Sequence, residues 1–204
     1  MIDDLDRTLE ELLRRELAPA LVEQVGISFA APDSDFPPPS VTLPAIDLFL
    51  YDIRENTDQR NTAWILERQV APQANGGVAQ RAVRRRAPVR VDCSYLITAW
   101  SSESSTTRAL DEHHLLSEVM TALLRHPVLP DVLLQGSLKA QEVPLPSSTL
   151  QPGRLQSVGE FWQALGGKPK AALNYTVTIS VLPDRAIEVE PLAVDKTLKA
   201  SGSY

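Results

Sequence analysis

The feature that most constrains the fold is the alternation of apolar and polar side chains from Val89 to Trp100. A period of two residues is that of a β-strand, in which successive side chains point to opposite faces of a sheet. We therefore predict a strand here. Its inward face consists of Val89, Val91, Cys93, Tyr95, Ile97 and Ala99, and its outward face of Arg90, Asp92, Ser94 and Thr98.

Several other runs predict strands. Residues 173–182 alternate in the same way, whereas residues 45–53 are apolar on both parities, which is typical of a central strand covered on both faces. Weaker patterns predict shorter strands at residues 24–31, 61–70 and 132–140. We expect residues 45–53 and 61–70 to form a hairpin. The sequence Asn75-Gly76-Gly77 then supplies a flexible turn.

Helical spacing of apolar residues predicts helices at residues 2–17 and 108–125. Ser157 and Glu160 have capping-box spacing before a two-turn helix that ends at Gly166-Gly167. The chain has 16 prolines and 9 glycines, so we expect stiff, ordered loops between these elements. The predicted fold class is α/β (α+β), with a mixed or antiparallel sheet flanked by helices.

The length of 204 residues fits one ordinary domain. A hydrophobic content of 43% and a charged content of 23% are typical of a folded globular protein. Beyond Pro183 the sequence is only weakly patterned. We therefore predict a folded domain over residues 1–183 and a C-terminal arm over residues 184–204.

Charge and cysteine content narrow the function classes. The net charge of -6 argues against a nucleic-acid coat, which requires a basic face to neutralise phosphates. Cys93 is the single cysteine, so no internal disulfide forms, and we expect a buried thiol. With no signal-peptide pattern and no long apolar run, we expect no membrane partner and folding in the cytoplasm.

The usual catalytic motifs are not found: there is no G-x-S-x-G, P-loop, G-x-G-x-x-G, H-E-x-x-H or Cys-x-x-Cys. His114 and Glu118 have the spacing of two metal ligands on one helix face, but a stable zinc site needs more. We expect His113 and His114 to be surface residues. Asp111 and Glu112 are consecutive on a helix and therefore poorly placed to cooperate as general acid and base. We predict no catalytic residue, cofactor or metal.

The strongest charge feature is the run Arg84-Arg85-Arg86, with Arg81 and Arg90 beside it. We interpret it as a basic loop that leads into a strand. In an acidic chain such a loop meets carboxylates of a neighbouring subunit, or solvent, more readily than nucleic acid. The three tryptophans are too scattered for a base-stacking platform and are predicted core or interface anchors.

Four segments together resemble a known family, although none is diagnostic alone. The segments are the opening helix MIDDLD, LFLYDIRENTDQRN (residues 48–61), SYLITAWSS (94–102) with EHHLLSEVMTALLRHPVLP (112–130), and VGEFWQALGGKPKAALNYTVT (158–178). This combination resembles the N-terminal-domain family of cap proteins from extracellular contractile injection systems, such as the Photorhabdus virulence cassette and the antifeeding prophage. The resemblance covers residues 1–183.

The resemblance implies a domain like those of phage tail terminators. It implies a homohexameric ring that closes the end of an inner tube and contractile sheath, with tube and sheath proteins as partners and release of the particle from the cell. It brings no catalytic residues. Longer caps continue well beyond the position of residue 204, so we expect any additional C-terminal domain to be missing.

Sheet edges suggest how such a ring would bind, because an unpaired edge strand accepts an added strand. Our candidate contacts with other subunits, tube or sheath are therefore the basic run and the apolar residues of the arm. They are Arg84, Arg85, Arg86, Ile187, Val189, Leu192 and Val194. The alternative interpretation is that residues 184–204 form a frayed terminus with no binding role. Other possible functions are a baseplate or adaptor component of the same particle, and a small hydrolase that uses His113 or His114.

Overall fold

A computed structural model of the protein describes most of the chain. The described residues are 1–72, 78–151, 158–183 and 187–189, with backbone alone for 67–72, 78–82, 158 and 187–189. They form two compact units. The main unit contains Met1–Thr57 and Arg90–Ser180, and the hairpin unit contains Asp58–Val89 and the described residues from Val181 to Val189.

The main unit is built on a five-stranded sheet. Its strands are β1 (Gly26–Ser28), β2 (Ala45–Glu55), β5 (Val89–Trp100), β7 (Ala172–Val181) and β6 (Ser147–Thr149), in that spatial order. β1 is parallel to β2, whereas β2 is antiparallel to β5, and β6 is antiparallel to β7. The contacts Ser94–Thr176 and Asp92–Thr178 run in opposite chain directions, so β5 and β7 are antiparallel as well. The predicted mixed sheet is confirmed.

Helices cover the sheet as the apolar periodicity predicts. They are α1 (Ile2–Glu16), α2 (Pro19–Val22), α3 (Arg108–Leu124) and α4 (Val158–Ala164). Four leucines of α1 are fully buried: Leu5, Leu9, Leu12 and Leu13. Tyr95 of β5 donates a 2.8 Å hydrogen bond to Asp6 of α1. Burying each such leucine contributes about 2 kcal/mol, so one face of the sheet forms the core with α1 and α3.

The opposite face of the sheet is also covered, as the apolar residues on both parities predicted for β2 but contrary to the prediction for β5. Ser94 and Thr98 of β5 were predicted to face outward, yet both are buried, as is Asp47 of β2. Phe161 of α4 lies 6.2 Å from Phe49, so this helix forms a second layer. The alternating pattern reports which residues share a face, but it does not report what packs on that face.

Polar groups on this second face are satisfied by cross-strand pairs. Thr178 donates a 2.7 Å hydrogen bond to Asp92, and the hydroxyls of Ser94 and Thr176 are 3.1 Å apart. Buried polar groups that pair in this way avoid most of the desolvation penalty. The prediction that Arg90, Asp92, Ser94 and Thr98 face solvent was therefore wrong for Asp92, Ser94 and Thr98, which are buried.

The hairpin unit is a separate three-stranded sheet. Its order is β3 (Trp64–Pro72), β4 (Val78–Arg86) and β8 (Ile187–Val189), and both pairings are antiparallel. The predicted hairpin of residues 45–53 with 61–70 was wrong, because β2 pairs with β1 and β5 while β3 pairs with β4. The predicted basic loop was also wrong, since Arg84, Arg85 and Arg86 lie within strand β4.

The predicted strand at residues 132–140 is instead two short 3-10 helices, Asp131–Leu133 and Gly136–Ala140. The second of them begins at Gly136, which has a left-handed φ of 50°. The Asp4 carboxylate of α1 accepts hydrogen bonds from the Ser137 amide at 3.0 Å and from its hydroxyl at 2.7 Å. These side-chain bonds to the backbone replace the strand ladder that the apolar alternation indicated.

Candidate interaction surface

The hairpin unit presents a cluster of cationic, aromatic and aliphatic side chains on one side of β3 and β4. We call this surface, formed by Trp64, Leu66, Arg84 and Arg86, the basic-aromatic face. The guanidinium carbon of Arg84 lies 3.8 Å from the centroid of the Trp64 ring, and that of Arg86 lies 5.4 Å from it. Both distances are those of cation-π contacts.

Strand register explains why these residues meet. Trp64 is directly opposite Arg86, and Leu66 is opposite Arg84, so all four project to the same side of the hairpin. Trp64 is 40% exposed and Leu66 is 52% exposed. Val83 and Arg85, which alternate with Arg84 and Arg86 along β4, project to the other side of the hairpin and are buried. The basic run is thus divided by the strand pleat into two exposed arginines and one buried arginine.

Charge is unevenly distributed along the chain. The segment from Asp58 to Val89 contains six arginines and two acidic residues, although the whole chain has a net charge of -6. Such a segment produces a positive local potential in an otherwise acidic molecule. Arg90 does not add to the face, because it belongs to the main unit, where it donates to the Ser180 hydroxyl and to the carbonyl oxygen of Pro144 at 3.3 Å.

The C-terminal candidates lie partly in the same sheet. β8 pairs with β4 so that Ile187 is opposite Arg84 and Val189 is opposite Ala82. Leu192 and Val194 lie outside the described residues. The structure therefore brings the backbone of two of the four arm candidates next to the basic run, within one chain.

Comparison with protein-family models decides the relationship of the chain. The model for the Pvc16 N-terminal domain matches residues 4–196. The chain belongs to this family. The resemblance drawn from the sequence segments is confirmed, and the Pvc16 N-terminal domain family is the one that it indicated.

Solved structures of similar shape agree with this family. A sheath/tube terminator of the extracellular contractile injection system PVC, in its extended state, matches with a TM-score of 0.64 and 25% identity over 100% of this chain. The tube-terminating cap of the anti-feeding prophage matches with a TM-score of 0.60 and 27% identity over 97% of it. This chain spans only 65% and 60% of those two chains. A search of curated proteins found no match.

The acidic and histidine candidates of this Pvc16 N-terminal domain do not form a shared site. Asp111 accepts hydrogen bonds from Ser105 and Thr107, whereas Glu112 lies 2.7 Å from the ammonium group of Lys170. His113 and His114 are exposed on α3. Within the part of the chain that the structure describes, no three His, Cys, Asp or Glu side chains are grouped to hold a metal.

The other two tryptophans and the cysteine of this family member are packed within the main unit. Trp162 is buried, and Trp100 lies against Phe36 with ring centroids 4.3 Å apart. The thiol of Cys93 is buried as predicted, and burial raises its pKa to about 11. A thiol with such a pKa is protonated at neutral pH and is a poor nucleophile.

Sequence reasoning missed Lys170, and it predicted Trp64 as a core or interface anchor without its contact with the arginines. Lys170 pairs with Glu112 and lies 4.0 Å above the Trp100 ring, and Trp64 supports both exposed arginines. Neither contact has a local sequence signal, because each joins residues that are distant along the chain. No described helix of this Pvc16 N-terminal domain has the length and hydropathy needed to cross a bilayer.

Proposed function

We propose that this chain is a structural cap subunit that terminates the inner tube and contractile sheath of a phage-tail-like injection particle. The observation that carries the proposal is the match of nearly the whole chain to two terminators of such particles, in shape and at 25% and 27% identity. The proposed particle is assembled from cytoplasmically made subunits and acts outside the cell. A non-enzymatic role fits the separate structural partners of Asp111 and Glu112.

A terminator must bind the end of a polymer without offering a site for the next layer. We propose that this chain does so as a homohexameric ring, in which many modest contacts with tube and sheath act together. Strand addition at a sheet edge supplies part of each contact. Among the described residues, β1 pairs only with Ala45–Asp47 of β2. Because β2 continues to Glu55, its edge that faces away from β5 is longer than the strand that covers it.

Omission of the chain during particle assembly tests this function. We expect tube and sheath of irregular length, because nothing then halts growth at the distal end, whereas particles made with the chain have a uniform length. Electron microscopy of negatively stained particles measures the length distribution. Uniform particles without the chain would contradict the proposal.

A gold-labelled or tagged version of the chain distinguishes the cap from the baseplate or adaptor alternative. We expect label at the end opposite the baseplate in intact particles. Label at the baseplate would assign the chain to the other end of the machine and overturn the terminator role.

Replacing His113 and His114 together by alanine tests the hydrolase alternative. Both side chains are exposed on α3 and lie outside the basic-aromatic face. We expect particles of unchanged length and yield, with a free energy of unfolding within about 0.5 kcal/mol of the wild type, as is usual for surface sites. Loss of function in this variant at unchanged stability would favour a reactive site.

The division into a domain over residues 1–183 and an arm over residues 184–204 remains a proposal, as do the arm contacts. Two truncations separate its parts. Removal of residues 190–204 deletes Leu192 and Val194 and keeps β8, whereas removal of residues 184–204 deletes β8 as well. We expect the shorter deletion to weaken sheath binding at least tenfold, as measured by co-sedimentation. Unchanged sheath binding in the shorter deletion would exclude Leu192 and Val194 from the contact.

A further inference from the structure

We propose that the basic-aromatic face binds an acidic surface on a second copy of this chain, and so forms one half of a head-to-tail contact between subunits. The inference rests on the proposed ring and names the chemistry that joins its members. Trp64, Leu66, Arg84 and Arg86 are the residues that carry it.

The first argument is that Arg84 is prepared to bind a carboxylate. Its guanidinium lies 3.8 Å over the Trp64 ring, which restrains a long side chain while its N–H groups remain in the guanidinium plane. Among the side chains that the structure describes, Arg84 has no carboxylate partner. A cation held in place before binding loses less rotamer entropy when an anion arrives.

The second argument is the composition of the face. An indole that is 40% exposed and a leucine that is 52% exposed flank the guanidinium groups. Tryptophan and arginine are the residues most enriched at the energetic centres of protein interfaces. Burial of this apolar area against a partner also removes water from the ion pairs and strengthens them.

The third argument identifies the occupant by charge. Outside the segment Asp58–Val89 the chain carries 24 acidic residues and 14 basic residues. The rest of a second copy therefore has a net negative charge, and electrostatic complementarity with the basic segment favours association. No other molecule is required to explain why one segment is basic in an acidic protein.

The same charges determine the symmetry of the contact. Two basic-aromatic faces repel each other, so the contact cannot be isologous, with the same patch on both sides. A basic face on one copy must meet a different, acidic surface on the next. Such heterologous contacts produce closed rings when the rotation between subunits closes.

The test uses Arg84→Glu/Arg86→Glu in the full chain, with self-association measured by sedimentation velocity and native mass spectrometry. We expect association to fall at least tenfold, and the wild-type association to weaken as NaCl is raised from 50 to 500 mM. Lys139→Glu/Lys168→Glu is the matched control, since it makes the same charge change at two exposed residues. The control is expected to associate like the wild type.

A mixing experiment tests the head-to-tail geometry. The double-glutamate variant retains its acidic surface, so it should bind the basic face of a wild-type copy and then stop further growth. We expect a small proportion of the variant to convert rings into short open oligomers. If the variant does not enter wild-type oligomers at all, the head-to-tail contact is overturned.

Circular dichroism of every variant checks folding. A further variant, Trp64→Ala, keeps both arginines and removes the ring beneath them. Trp64→Ala should weaken association less than the charge reversal does. Unchanged association of folded Arg84→Glu/Arg86→Glu would overturn the inference. A wild-type chain that stays monomeric yet binds purified tube-sheath ends would also overturn it, while leaving the terminator function intact. Salt-sensitive retention of an oligonucleotide by the face, without self-association, would assign it to nucleic acid instead.

Discussion

Replacement of Gly136 by alanine is expected to destabilise the protein by about 3 kcal/mol, in the range of changes that disrupt a buried hydrogen-bond network. Gly136 has a φ of 50°, which strains any residue with a Cβ atom. An added Cβ would lie 2.0 Å from Oδ1 of Asp4 and 2.7 Å from Oδ2. The Asp4 carboxylate would therefore have to leave its place beside Ser137. Urea denaturation followed by tryptophan fluorescence measures the change.

Gly159→Ala is the matched control for this substitution. Gly159 lies in α4, and a Cβ there meets nothing within 4 Å. Alanine is favoured over glycine in a helix by up to about 1 kcal/mol, so the control should be neutral or slightly stabilising. Equal stability of Gly136→Ala and wild type would contradict the assigned role of the Asp4 contact.

Acid titration gives a second reading of the same contact. Hydrogen bonds from Ser137 are the main cause that lowers the pKa of Asp4 to about 2 from 3.8. A carboxyl group with a lowered folded-state pKa stabilises the protein above its unfolded pKa, and this stabilisation is lost as pH falls from about 4 toward 2. We expect Gly136→Ala to lack this part of the acid dependence, because its Asp4 is displaced.

Replacement of Asp47 by asparagine is expected to stabilise the protein by about 4 kcal/mol at pH 8, since burial raises the Asp47 pKa from 3.8 to about 7 and each pKa unit is worth about 1.4 kcal/mol. The Asp47 side chain is fully buried on β2, and neither of its oxygens has a hydrogen-bond partner among the described residues. Burial raises its pKa to about 7 from 3.8. The Ser28 hydroxyl and the Ala30 amide oppose this shift without an aligned hydrogen bond.

The sign of the pH dependence follows from the raised pKa. Between about pH 4 and 7 the folded protein holds a proton on Asp47 that the unfolded chain has released. Stability therefore falls as pH rises through this range and reaches a plateau above it. Asparagine at position 47 removes this dependence, so its advantage over the wild type should be large at pH 8 and small at pH 4.

Urea denaturation at pH 4, 6 and 8 measures the effect, with Asp35→Asn as the control. Asp35 is exposed, so the same substitution there should change the free energy of unfolding by no more than about 0.5 kcal/mol. An Asp47→Asn variant that is less stable than wild type at pH 8 would mean that the carboxylate is satisfied in the folded protein.

The strands and helices with clear periodicity could be predicted from the sequence because the spacing of their apolar residues is visible within a short stretch of chain. Residues 89–100 and 173–182 alternate and form β5 and β7, and the apolar stripe of residues 2–17 forms α1. β4 was missed because its arginine run alternates in exposure and not in polarity. Its partner was misassigned because pairing between strands depends on register and topology, which a linear pattern does not contain.

The candidate surface was predictable only in part, for the same reason. The run Arg84-Arg85-Arg86 is visible in the sequence, but its division into two exposed guanidinium groups and one buried group depends on the pleat of β4. Trp64 is twenty residues from Arg84 in the sequence, and only the antiparallel register brings them together. Asp4 and Gly136 likewise meet through packing of α1 on a 3-10 segment, which has no local signal.

The position at which the hairpin is inserted has a consequence for how such proteins diversify. Glu55 of β2 is paired with Val91 of β5, and the Asn56 amide donates a 2.8 Å hydrogen bond to the carbonyl oxygen of Arg90. The chain therefore leaves the main sheet and re-enters it at adjacent positions. Because the closure entropy of such a loop grows slowly with length, relatives can lengthen, shorten or recharge residues 57–89 while the scaffold stays the same. Binding to a partner can then evolve through changes in this one inserted segment.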